Sequence, residues 1–74
     1  MNGWKNSATW NVALWIGNDE ELYREALEHG GPDSYRHTEQ ILGTLFPSGK
    51  TPDGHSIDDA DTPEVMAFLQ ELGE

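Results

Sequence analysis

All three tryptophans of the chain fall within Trp4–Asp19, WKNSATWNVALWIGND, and no other stretch limits the fold as strongly. Read as a helix over residues 9–17, it puts Trp10, Ala13, Leu14 and Gly17 on one face by the i, i+3, i+4, i+7 rule. Val12, Trp15 and Ile16 occupy the neighbouring face, so the segment is apolar round much of its circumference. That is the pattern of a helix buried by several partners at once. Each aromatic side chain can bury on the order of 150 to 250 Å². The spacing therefore predicts a tryptophan core with the other elements wrapped around it.

Size makes such a core necessary. A chain of 74 residues allows one domain, residues 1–74, and a domain this small buries only about 60% of the surface its unfolded form exposes. The apolar share is 35%, below the usual 45 to 50%, roughly, of a count that includes glycine. Self-association is one way to make up the shortage. There are no cysteines, so neither disulfides nor a thiolate metal site can help. No apolar run reaches the length of a signal peptide core or of a membrane span, which predicts a soluble, cytoplasmic protein.

Fourteen acidic residues against four basic ones leave a net charge of −10. A field of that sign repels nucleic acid and anionic lipid and attracts basic surfaces. Direct nucleic-acid binding is excluded on this ground.

In chain order, Ser7 or Thr9 is placed to cap the first helix and Gly17-Asn18 to close it. Asn18 then caps a second helix, with Glu21 completing a capping-box arrangement and Asp19, Glu20 and Glu21 facing the positive end of the dipole. Leu22, Tyr23, Ala26 and Leu27 form its expected buried stripe; Glu21, Glu25 and Glu28 line the opposite face. Gly30-Gly31-Pro32 ends it. Asp33 or Ser34 opens a third helix to about Phe46, with a stripe of Tyr35, Thr38, Ile41, Leu42, Leu45 and Phe46 and a weak point at Gly43. Residues 47–61 read as a loop pinned by Ile57. Thr62-Pro63-Glu64 starts a last helix with a stripe of Val65, Phe68, Leu69 and Leu72. The fold class is all-α, a small bundle of about four short helices around the tryptophan-rich first one.

Motifs that would carry chemistry fail on inspection. Gly49-Lys50-Thr51 lacks the glycine spacing and the preceding strand of a phosphate loop, and reads as a turn. The twelve residues from Asp53 to Glu64 put His55, Ile57 and Asp58 where a calcium loop needs oxygen ligands and glycine, so an acidic solvated loop is preferred over an irregular divalent site at Asp58, Asp59 and Asp61. The histidines lie in separate elements without ligand spacing. No catalytic set, cofactor or metal is expected.

The pattern Trp4-x-Asn6-x-x-Thr9-Trp10-Asn11-x-x-Leu14-Trp15-Ile16-x-Asn18-Asp19 resembles the N-terminal signature of small proteins of unknown function encoded by bacteriophages and other mobile elements. The resemblance extends to about Tyr23; many such proteins have Tyr where Ser7 stands. It implies a phage-like context and no reaction.

Charge then gives the functional expectation, a non-enzymatic binding protein. Its acids at Glu21, Glu25, Glu28, Asp58, Asp59 and Asp61 engage a basic nucleic-acid-handling host protein, such as a defence nuclease complex, by DNA mimicry of the anti-restriction or anti-CRISPR type. The alternative is a small scaffold or homo-oligomer that binds through apolar surface, its acidity serving solubility or salt adaptation.

Overall fold

In the computed structural model, which describes residues 3–73, helix α1 spans Ser7–Asn18. It is followed by α2, Glu20–His29, α3, Tyr35–Leu45, a 3-10 turn at Ile57–Asp59, and α4, Thr62–Leu72. The all-α class and the four short helices are as the sequence predicts. Helix α1 packs against α2, α4 and the 3-10 turn, and α3 closes the bundle against α4 and α2.

Each helix starts on a side chain that accepts a backbone N–H otherwise left unpaired. Asn6 Oδ1 takes the Thr9 N–H at 2.8 Å, Asp19 Oδ1 the Leu22 N–H at 3.0 Å, Ser34 Oγ the His37 N–H at 3.0 Å and Asp61 Oδ2 the Glu64 N–H at 3.1 Å. Three of these caps sit one residue from the expected position: Asn6 replaces Ser7, Asp19 replaces Asn18 and Asp61 replaces Thr62. Asn and Asp rank with Ser and above Thr as caps, and Asp adds its charge to the positive end of the dipole. The α1–α2 junction also differs from expectation. Gly17 stays helical, and Asp19 joins the helices in an extended conformation, φ −94° and ψ 120°. The left-handed glycine stands instead at the end of α2, where Gly30 has φ 73°.

The tryptophan core is corrected by the structure. The buried face of α1 consists of Thr9, Val12, Ala13 and Ile16, flanked by Ala8 and Asn11. It is offset from the predicted face, on which Leu14 and Gly17 are exposed. Val12 and Ile16 join Ala26, Ile41, Leu42, Leu45, Phe46, Ala60, Val65 and Leu69 in one core that is aliphatic apart from Phe46. All three indoles are half-buried around it. Trp15 packs on the core from outside, Trp4 meets Phe68 edge to face with centroids 5.9 Å apart, and Trp10 lies outside the core cluster. Small residues at Ala8 and Ala13 let neighbouring elements approach α1 closely, and an indole keeps a polar N–H that a dry core cannot satisfy. On α2 only Leu22 and Ala26 turn inward; Tyr23 and Leu27 remain 38% and 41% exposed. Tyr35 at the start of α3 is likewise out of its predicted stripe.

The 47–61 segment is irregular yet closed on itself. The Thr51 N–H donates to the His55 carbonyl at 2.8 Å, the Gly54 N–H to the Thr51 carbonyl at 2.9 Å and the Ile57 N–H to the Gly49 carbonyl at 3.0 Å. Ile57 packs against the core, as expected.

Truncating a core aliphatic should therefore cost more than truncating an indole. Ile16→Ala is expected to lose about 2 to 5 kcal/mol, a large part of a domain's usual total of about 5 to 15 kcal/mol, whereas Trp10→Ala loses less. Urea denaturation of the two variants measures this, and the reverse order would return the core to the tryptophans.

Candidate partner-binding surface

Helix α2 holds the densest acidic surface because its two faces have different chemistry. Leu22 and Ala26 fix the inner side, so Glu21, Glu25 and Glu28, at i, i+4 and i+7, stand exposed on the outer one. Glu20 is drawn aside to Arg24, Oε1 to Nη2 at 3.2 Å, in an exposed pair of little energetic weight. One turn advances about 5.4 Å, so the row is a line of negative charge with a turn-by-turn spacing.

Glu21 and Glu25 also form, with Asp19, one side of a groove of about 490 Å³ between α2 and the segment following α3. Leu22, Leu45 and Phe46 line it from the core side, and Lys50 stands among the residues of its other wall. The groove thus combines three carboxylates, an apolar lining and one ammonium.

The acids of the 53–61 region do not form a second row. Asp58 and Asp59 are exposed in the 3-10 turn, and Asp58 lines a separate hollow of about 310 Å³ with Glu39 and Ile57. Asp61 is engaged in folding: besides capping α4, its carboxylate pairs with Lys5 Nζ at 3.4 Å, and its N–H donates to Thr9 Oγ1 at 2.7 Å. Glu21 and Glu25 share a hollow; Asp58 lies in another. Among the described residues no three His, Asp or Glu side chains converge as metal ligands would.

Asp53 was legible only as the first position of a failed calcium loop, and the structure gives it a distinct role. Its Oδ2 accepts the Asn11 Nδ2–H at 2.8 Å and the Trp15 Nε1–H at 3.0 Å, tying the loop tip to α1 across about forty residues of chain. The Asn11 donor, then the Trp15 donor, hold the carboxyl below its ordinary value of 3.8, with His55 adding a smaller effect in the same direction and desolvation opposing them. Asn11 itself is buried, and its Oδ1 has no hydrogen-bond partner. Its amide Nδ2 is thus the side-chain atom that finds a partner, the Asp53 carboxylate. The signal in the sequence was an Asn on an otherwise apolar helix, which periodicity does not pair with a distant Asp.

A family model described as a family of unknown function, DUF7249, matches residues 1–72. No curated protein and no solved structure matches the chain.

The Asp53 clasp makes a pH-dependent prediction. A carboxyl held below its ordinary value stabilises the fold fully above that value and loses the contribution as pH falls through its folded value. Asp53→Asn should therefore melt below the wild-type protein at neutral pH, and the gap should narrow below about pH 4. Thermal melts of both proteins across that range test it; a gap independent of pH would remove Asp53 from the linkage.

Proposed function

The chain belongs to this family of unknown function, and we propose that it is a non-enzymatic acidic protein that occupies the nucleic-acid-binding surface of a basic partner. The observation that supports this most is the exposed carboxylate row Glu21, Glu25 and Glu28 on α2, two of whose members also edge the groove facing Lys50. The spacing of the row is of the same order as that of phosphates along a strand. Its geometry is fixed by a helix, which presents charge with less ordering cost than a loop would. In this reading Asp58 and Asp59 extend the acidic surface, while Asp61 acts through the fold. A phage or mobile-element setting, with a host restriction or CRISPR nuclease as the basic partner, is the biological context we propose for it.

A second reading rests on a different observation. Leu14, Tyr23, Leu27 and Tyr35 are 36%, 38%, 41% and 54% exposed, more large apolar surface than the sequence pattern predicts. An interface built on those residues, with a partner or a second copy, would hold in salt that dissolves an electrostatic one.

The test separates the two. The outward side chains of the α2 row make surface substitutions, which usually change stability by about 0.5 kcal/mol or less. A combined Glu21→Gln, Glu25→Gln, Glu28→Gln variant is thus expected to melt near wild type and to lose most of its binding to a basic protein captured from host lysate. Duplex DNA should displace that protein from the wild-type chain, and moderate salt should weaken the complex steeply. Equal capture by the variant, or capture indifferent to DNA, would overturn the mimicry reading.

A further inference from the structure

A second acidic feature lies on α4, outside the α2 surface. Glu64, Ala67, Phe68 and Glu71 recur at i, i+3, i+4 and i+7, so they form one stripe along two turns of that helix. Trp4 lies against this stripe, and the five residues enclose a hollow of about 280 Å³. Its centre is aromatic and each end carries a carboxylate.

Trp4 and Phe68, both half-buried, line this hollow together. Trp4 and Phe68 meet at an interplanar angle of 75°, edge to face. In that geometry both faces of one ring and one face of the other are uncovered by the partner. Glu64 is already oriented, because its Oε1 accepts the Lys5 N–H at 2.8 Å. The ammonium of Lys5 points its charge elsewhere, to Asp61 at 3.4 Å.

The geometry points to a binding site for an arginine side chain of a basic polypeptide, its guanidinium stacked on the Trp4–Phe68 pair and bonded to Glu71, with the Glu64 carboxylate adding to the field at the other end. Charge selects this occupant. A purely apolar side chain would desolvate two carboxylates without compensation, a nucleic acid would be repelled, and a second copy of a chain with net charge −10 would be repelled as well. Guanidinium satisfies both halves of the site at once, since it is planar, stacks on aromatic faces and binds carboxylates through paired N–H groups. Ammonium is more strongly hydrated and matches only the charge. This site rests on the proposed binding of a basic partner and says where one of its side chains is anchored.

The probe is a short capped peptide with a single arginine, compared with the same peptide carrying lysine and with one carrying citrulline, which has the shape of arginine without its charge. The readout is the indole N–H resonance of each tryptophan in 15N-labelled full-length protein. The Trp4 resonance is expected to shift saturably with the arginine peptide, to shift less with lysine and hardly at all with citrulline, while Trp10 and Trp15 stay in place. Glu71→Gln, at an exposed position, should weaken arginine binding about threefold or more, in line with a partly desolvated charge contact. Phe68→Leu keeps an apolar side chain facing Trp4 and should abolish the preference for arginine over lysine. Equal shifts with citrulline, or no effect of Glu71→Gln, would overturn the site. Shifts confined to α2 backbone amides would overturn it too, while leaving the acidic α2 surface standing; a basic partner that binds independently of the α2 row but depends on Glu71 would do the opposite.

Discussion

The structure depends on the hydrogen-bonded seam between α1 and the segment that runs from Asp53 into α4. Asn6 Nδ2 donates to the Asp59 carbonyl at 3.0 Å, Thr9 Oγ1 takes the Asp61 N–H at 2.7 Å, and Asn11 and Trp15 both donate to Asp53. Thr9 and Asn11 are almost fully buried, at 0% and 1% exposure. Buried polar groups left unpaired would cost about 1 to 3 kcal/mol each, so these bonds decide which segment can cover α1. A hydrophobic core of ten residues, nine of them aliphatic, holds the helices together. The seam fixes their register and closes a long loop that the core alone touches only through Ile57 and Ala60.

That seam explains the tryptophan-rich segment better than a tryptophan core does. Trp4 rests on Phe68, Asn6 caps α1 and reaches Asp59, Thr9 and Asn11 bond outward from the buried face, Ile16 fills the core, and Asp19 caps α2. Asn18 Nδ2 returns to the Leu14 carbonyl at 3.0 Å near the end of the helix. Most of the Trp4–Asp19 pattern is thereby accounted for by folding. Trp10 and Leu14 are the members left at the surface by it, four residues apart on one side of α1.

Local signals were legible in the sequence and long-range ones were not. The helices, the stop at Gly30-Gly31-Pro32, the inward stripe of α3 from Thr38 to Phe46 and the pin at Ile57 all follow from periodicity and turn chemistry. The face of α1 did not. Two stripes offset by one residue run along it, and the one chosen by hydrophobicity contains Trp10 and Leu14. The one chosen by the fold contains Thr9, whose hydroxyl donates to Asn6 and accepts from the Asp61 N–H, and Asn11, whose amide meets Asp53 from more than forty residues away. The acidic row on α2 was legible because it needs only the local rule; its share in a groove with Lys50 was not, since that depends on how the segment after α3 returns past α2.

The way these acids are held bears on what the surface can do. Neutral donors satisfy several carboxylates that build the fold: the Asn11 amide and Trp15 indole at Asp53, backbone N–H groups at Asp19, and the Lys5 backbone N–H at Glu64. At Asp53 such bonds favour the ionised form without cancelling its charge. Asp53 is held toward its charged state by them, as its lowered pKa records. Asp61 is the structural acid that meets a cation, Lys5 Nζ at 3.4 Å, while Asp53, Asp19 and Glu64 meet neutral donors, and a chain with four basic residues keeps a formal net charge of −10 while folding around several aspartates.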